Sequence, residues 1–262
     1  MYSRLAAALI LAVLAGTAAA SDDIGDLSSA VAAAGHDVPA PDVLRKACDR
    51  DALCVARFLK DRIGDGAAIV PVEPENGKST GWSRPPPVRI VTLGADGRLI
   101  IVLRRFDTRA VANAVLGAGK EDETKVSRIV LDLRQMEGDG NLDNMRRVAS
   151  LFIGERARAF QLRHATGRVV DWTVPKPMLN LARTPTEVWV DGDVDADAEL
   201  FAAILRKYAG AKVLGEITRA RGYRLETVPV THGWALQIPT GRLSVPGEDL
   251  TGGLIPDGPV PE

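Results

Sequence analysis

The chain has 262 residues, of which 46% are hydrophobic, and its formal net charge at pH 7 is −1. This length is enough for one sizeable hydrophobic core with a small appendage. Because there is no excess of positive charge, the composition gives no indication of binding to nucleic acid or to a membrane surface.

The beginning of the sequence has the pattern of a secretory signal peptide. Residues 1–20 contain Arg4, an apolar run from Leu5 to Ala15, and three alanines before Ser21. A membrane anchor is the alternative, but the apolar run is shorter than the roughly 20 residues that a spanning helix requires. We therefore expect a periplasmic or secreted protein that has no membrane span once residues 1–20 are removed.

Residues 21–68 are predicted to form a helical N-terminal segment, since apolar residues repeat there at helical spacing. Asp49 to Asp51 indicates a break followed by a new N-cap. Cys48 and Cys54 flank this break, and an exported chain with two cysteines usually pairs them. On one unbroken helix they would point about 240° apart, so a disulfide requires the break. Two free, buried thiols are the alternative.

The sequence predicts an α/β fold after a linker. Residues 69–87 are rich in Pro and Gly, lack a periodic apolar pattern and are predicted to be that linker. From residue 88 to residue 262 we expect a layered core of sheets and helices. Strands are predicted over 88–93, 99–103, 128–133, 160–164, 168–173, 188–190, 212–214, 224–230 and 234–238, and helices over 108–116 and 142–152 and around Leu200, Ile204 and Tyr208.

One strand–helix–strand unit in this core is the place to look for chemistry. The apolar strand ending at Val190 enters an acid-rich turn, a helix and then a second apolar strand, within about thirty residues. Nucleophiles are often placed at such a turn, because the first helical N–H groups are unpaired and can hold a developing oxyanion.

Two sets of residues within the core carry a family pattern. The first is Leu131, Asp132, Leu133, Arg134, Gly138, Ala149, Leu151 and Phe152, and the second is Glu199, Phe201, Ala202, Ala203, Gly215, Glu216, Thr218 and Gly222. In both sets the sequence resembles the carboxyl-terminal processing, or tail-specific, serine peptidases, over about Val88 to Asp257. The resemblance implies their sheet-and-helix core, which is related in plan to crotonase-like domains.

The resemblance also shows what is replaced. In the family register, Ala196 stands at the position of the serine nucleophile, Arg221 at that of the lysine base and Leu225 at that of a glutamine. A guanidinium stays protonated at physiological pH and cannot act as the base. We also expect no PDZ domain of the family between the N-terminal segment and the core, because residues 69–87 are fewer than the roughly 50 that a domain takes.

We therefore expect a non-catalytic, exported relative that retains a groove for a peptide or an envelope protein. The resemblance places Gly138 or Gly140 at the oxyanion-hole turn, and Asp195, Asp197 and Arg221 beside them. Arg221 either pairs with Asp193, Asp195 or Asp197 or faces the groove and binds a ligand carboxylate. The alternatives are an active peptidase with Ser127, Ser150 or Ser244 as nucleophile, and a purely structural envelope protein.

No metal or cofactor is expected. Asp191, Asp193, Asp195 and Asp197 alternate as in a calcium loop, but neither possible EF-hand frame has Gly at its sixth position or Glu at its twelfth. The pattern favours carboxylates that cap the N–H groups of a helix. Asp132, on a buried strand before an arginine, is predicted to be a structural carboxylate.

Overall fold

The computed structural model describes residues 24–49, 51–71, 86–121, 126–136, 141–154, 157–231 and 233–261. These residues form an α/β fold with six helices and ten strands. The helices are α1 (Ile24–Ala33), α2 (Pro41–Ala47), α3 (Ala52–Ile63), α4 (Thr108–Glu121), α5 (Leu142–Ile153) and α6 (Ala196–Ala209). The strands are β1 (Ala68–Pro71), β2 (Val88–Leu93), β3 (Arg98–Leu103), β4 (Arg128–Asp132), β5 (Arg158–His164), β6 (Val169–Thr173), β7 (Thr186–Val190), β8 (Lys212–Gly215), β9 (Tyr223–Thr231) and β10 (Trp234–Ser244).

The chain divides into two compact units. The first contains the described residues of 1–78 and 225–240, and the second contains those of 79–224 and 241–262. No helix among the described ranges is both long and apolar enough to span a membrane. The predicted signal peptide, residues 1–20, lies outside the described residues.

The first unit holds three helices and a disulfide. Helix α2 ends at Ala47, and Asp51 caps α3 by accepting a hydrogen bond from the N–H of Leu53 at 2.8 Å. The helix therefore breaks where the sequence predicted a break. Cys48 and Cys54 form a disulfide across it, with their Cα atoms 5.6 Å apart.

Part of the predicted linker is a strand. Residues 69–71 belong to β1, which pairs antiparallel with residues 234–237 of β10. The linker prediction is wrong there because Ile69 and Val70 are β-branched apolar residues that suit a strand. Pro71 lies at the end of an edge strand, where a missing N–H is tolerated. Residues 72–85 lie outside the described residues.

The second unit is built on a five-stranded sheet in the order β2-β3-β4-β7-β8. Strand β2 is antiparallel to β3, and the other neighbours are parallel. Helices α4, α5 and α6 contribute to the same core as one face of this sheet, in which Val188 and Val190 of β7 are buried. A parallel sheet gathers its functional loops at the carboxyl ends of its strands, and here β7 ends directly before α6.

Candidate functional site

The turn between β7 and α6 is shaped by its acidic residues. The carboxylate of Asp191 accepts a hydrogen bond from the N–H of Asp193 at 2.9 Å. Asp195 caps α6 by accepting from the N–H of Ala198 at 2.7 Å, which confirms the predicted capping role. Asp197 is buried in the first turn, where the helix dipole favours a negative charge. Asp195 thus satisfies a helical N–H group, and Asp191 satisfies an N–H group of the turn.

Ala196 is the first residue of α6 and is half-buried. The fold therefore brings this position to the strand-to-helix turn at which the family register has a nucleophile. A methyl group has no lone pair with which to attack a carbonyl carbon. The alanine at this strand-to-helix turn therefore cannot itself act as a nucleophile.

A buried carboxylate on α6 fixes the loop that follows β8. Glu199 is fully buried and accepts hydrogen bonds from the N–H of Gly222 at 2.6 Å, the N–H of Arg221 at 3.2 Å and the hydroxyl of Thr218. The Thr218 hydroxyl oxygen accepts in turn from the N–H of Leu254 at 2.7 Å. Burial raises the pKa of the Glu199 carboxyl, and the hydrogen bonds from Thr218, Gly222 and Arg221 oppose this shift. We call Glu199, Thr218 and the N–H groups of Arg221, Gly222 and Leu254 the Glu199 network.

Two glycines allow the close backbone contacts around this network. Gly253 has φ +90°, and a Cβ there would lie 1.9 Å from the carbonyl oxygen of Thr218. Gly222 has φ +67°, and its carbonyl oxygen accepts from the N–H of Leu243 at 2.7 Å. Side chains at these positions would require the loops to separate, so the family glycine at 222 has a structural explanation here.

Arg221 adopts a left-handed backbone conformation, with φ +54°, and its side chain is exposed. It forms no ion pair with any residue that the structure describes. Asp193 pairs instead with Arg219, whose guanidinium nitrogen lies 3.0 Å from its carboxylate oxygen. The Arg219 side chain lies over Gly192, where a Cβ would be 2.8 Å from Nε. The sequence did not identify Arg219 as the partner of Asp193. The sign of it in the sequence is Gly192, which lacks a side chain and so leaves room for the guanidinium.

The predicted site also includes Leu225, Gly138 and Gly140. Leu225 lies on β9 in the first unit and is exposed. Gly138 and Gly140 lie outside the described residues. Among the described residues, no group of three or more His, Cys, Asp or Glu side chains is placed to hold a metal ion.

The serines considered as alternative nucleophiles have other surroundings. The hydroxyl of Ser150 is buried and donates to the carbonyl oxygen of Arg147 at 2.7 Å. The hydroxyl of Ser127 donates to the carbonyl oxygen of Asp96 at 3.1 Å. Ser244 is exposed at the end of β10. Each of these two hydroxyls, of Ser127 and Ser150, is hydrogen-bonded to a backbone carbonyl oxygen, which is not a base that could take its proton.

Asp132 has the structural environment that the sequence predicts. Its two carboxylate oxygens accept from Nε of Arg134 at 2.9 Å and from a terminal nitrogen of Arg134 at 2.7 Å. The guanidinium of Arg134 also lies 5.2 Å from the ring centroid of Trp189 on β7. Because both oxygens of this nearly buried carboxylate accept hydrogen bonds from Arg134, Asp132 has a structural role.

Comparison with known proteins agrees with the observed fold. The model of peptidase family S41 matches residues 99–260. None of the curated proteins matches the sequence significantly.

Among solved structures, a photosystem II D1 C-terminal processing protease aligns with a TM-score of 0.52 at 20% identity, covering 67% of this chain and 48% of that one. A lipoprotein from Streptococcus agalactiae aligns with a TM-score of 0.57 at 17% identity, covering 92% of each chain. The chain thus spans about half the length of the processing protease, and at these identities the likeness shows a shared fold.

Proposed function

Because the chain belongs to peptidase family S41, we propose that it is an exported, non-catalytic member of the family that binds a peptide or an envelope protein. The observation that carries this proposal is Ala196 in the first position of α6. Loss of a serine nucleophile costs a hydrolase on the order of a million-fold in turnover. The second replacement, Arg221, removes the base as well, since a guanidinium stays protonated.

The backbone framework around these replaced groups supports binding without turnover. The Glu199 network still holds the loop of Arg221 and Gly222 beside α6, which leaves the backbone around the replaced groups in place. Asp195 and Arg221, together with Gly138 and Gly140, are the proposed wall of the groove, whereas Asp197 is buried. The exposed fork of Arg221 suits a carboxylate, which it would bind through two hydrogen bonds.

Export is the second part of the proposal. The sequence pattern of residues 1–20 is that of a signal peptide. The Cys48–Cys54 disulfide fits an oxidising compartment, since cytosolic thiols are kept reduced. A lipoprotein is also among the structural relatives. We therefore place the mature chain in the periplasm or outside the cell.

A catalytic test separates this proposal from the alternative of an active peptidase. The purified protein is incubated with a serine-reactive phosphonate and with unfolded polypeptides, and we expect neither labelling nor cleavage. Ala196→Ser alone should also stay inactive, because Arg221 cannot take the serine proton. The triple variant Ala196→Ser, Arg221→Lys, Leu225→Gln asks whether the scaffold supports chemistry once the three groups return. Robust cleavage by the unmodified protein would contradict the proposal that it is non-catalytic.

A binding test addresses the groove itself. Fluorescence anisotropy with a labelled, unfolded polypeptide measures the affinity of the unmodified protein and of Arg221→Ala. We expect roughly tenfold weaker binding in the variant, the loss of about one charge-assisted pair. Arg183→Ala is the matched control, because Arg183 is also exposed but precedes β7 at the opposite end of the strand. Equal affinities for all three proteins would show that Arg221 does not contribute to binding in the groove.

A further inference from the structure

A cavity of about 300 Å³ in the second unit is lined by the first turn of α4, one side of α5 and the segment after β6. Its wall carries three cations, Arg109, Arg147 and Lys176. On α5, Asn144, Arg147 and Ser150 are spaced three residues apart, so they share one helix face. The cavity therefore brings basic side chains from three separate segments to one place.

The charges of this wall are only partly balanced. Arg109 and Lys176 form no ion pair with any part of the chain that the structure describes. Arg147 shares one carboxylate, Asp143, with Arg146. Asp107 is the one acid in the lining, and it is already engaged as a cap, accepting from the N–H of Ala110 at 2.8 Å. A surplus of positive charge remains.

The N-terminal end of α4 adds to this positive charge. Helix α4 has 14 residues, its first turn lacks an acidic residue, and Arg109 stands in that turn. The N-terminus of a helix carries a partial positive charge of about half a unit, so together with Arg109 it exceeds the single negative charge of the Asp107 cap.

A second cavity in the same unit provides a contrast. It has a volume of about 250 Å³ and also carries three cations, Arg128, Arg183 and Lys212. It contains, however, the buried carboxylate of Glu187, which accepts from Arg128 at 2.7 Å. It also borders Gly210 at the carboxyl end of α6, where the helix dipole disfavours an anion. Equal numbers of cations therefore create different fields in the two cavities.

We propose that the cavity of Arg109, Arg147 and Lys176 binds the phosphate group of a small phosphomonoester. Two guanidinium forks and an ammonium match the oxygen geometry and the double charge of such a group. The cavity is larger than a phosphate, and Met178, with 64% of its surface exposed, lies in its wall beside the space left for the organic part.

Calorimetric titration at low ionic strength with inorganic phosphate and with glycerol 3-phosphate tests the site. The double variant Arg109→Ala, Lys176→Ala should bind both ligands at least roughly tenfold more weakly than the unmodified protein. Lys212→Ala is the matched control, because it removes a cation from the contrasting cavity, and it should keep the original affinity. Circular dichroism checks that each variant is folded.

Three results would overturn the proposal. One is the absence of heat with either ligand, and another is a loss of affinity in Lys212→Ala as large as that in the double variant. The third is binding to vesicles that contain phosphatidic acid together with no binding to glycerol 3-phosphate, which would make the site a membrane contact. The test does not depend on the residues at the start of α6.

Discussion

The loop after β8 and the turn after β7 lie at the same candidate site but are held by different kinds of contact. The loop is fixed by the Glu199 network, whose central carboxylate is 0% exposed. The turn is fixed by local caps and by the ion pair of Arg219 and Asp193, whose side chains are 74% and 85% exposed. Buried hydrogen bonds contribute more to stability than exposed ion pairs do. The backbone of the site therefore depends on the side chains of Glu199 and Thr218 and not on those of Ala196 and Arg221.

The largest expected effect comes from breaking the buried side of this comparison. Glu199→Ala removes the acceptor of three hydrogen bonds and leaves the N–H groups of Arg221 and Gly222 without it. We expect the free energy of unfolding to fall by about 3 kcal/mol, since each unsatisfied buried group costs about 1–3 kcal/mol and removal of a buried charge offsets part of this cost. Urea denaturation measures the change.

Glu216→Ala is the control for this prediction. Glu216 belongs to the same family pattern but is exposed, so its removal should change the unfolding free energy by about 0.5 kcal/mol or less. If Glu199→Ala and Glu216→Ala had equal effects, the Glu199 network would not be what holds the loop.

The second prediction concerns the pH dependence of the same carboxylate. Burial raises the pKa of Glu199 in the folded chain above its ordinary value of 4.5. The folded state therefore binds more protons than the unfolded state in a window that starts near pH 4.5, so its stability falls as the pH rises through that window. The contribution of Glu199 is fully present below the unfolded pKa and is lost above the folded pKa.

Glutamine does not titrate, so the variant Glu199→Gln isolates the pH-dependent contribution of Glu199 to the unfolding free energy. The unfolding free energy of the unmodified protein minus that of the variant should decrease as the pH rises above about 4.5. Urea denaturation at several pH values in that range gives the difference. A difference that increases with pH would mean that the hydrogen bonds outweigh burial and that the pKa is lowered.

Most of the second unit follows from local sequence patterns. The boundaries of β2 are those predicted, and β4, α5 and β7 differ from prediction by one or two residues, because β4 is a buried, largely apolar run and α5 repeats apolar residues at helical spacing. The position of Ala196 at the start of α6 was also predictable, since the acid-rich turn marks a helix N-terminus.

Contacts between segments distant in sequence were not predictable in the same way. The sequence assigned residues 225–240 to the core, but their buried side chains Val230, Leu236 and Ile238 pack in the first unit with those of α1 to α3. An alternating strand pattern shows that one face is buried and does not say against which partner. The partner of Asp193 was missed for a related reason. The backbone of Arg221 is left-handed and directs its side chain to solvent, and a non-glycine residue gives little sequence sign of this conformation.

The smallest expected effects lie on the exposed side of the comparison. Arg219→Ala removes the pair with Asp193, but both side chains are mostly in water, so we expect a loss of about 0.5 kcal/mol or less. Arg221→Ala should change stability even less, because its side chain has no ion pair in the described structure and its N–H bond to Glu199 is kept in the variant. Thermal unfolding of both variants at low and high salt measures these differences. Only the Arg219 effect should shrink with salt, since screening weakens an exposed pair. A loss of several kcal/mol in Arg221→Ala would show that this side chain is a structural partner, and the proposal that it faces a ligand would then fail.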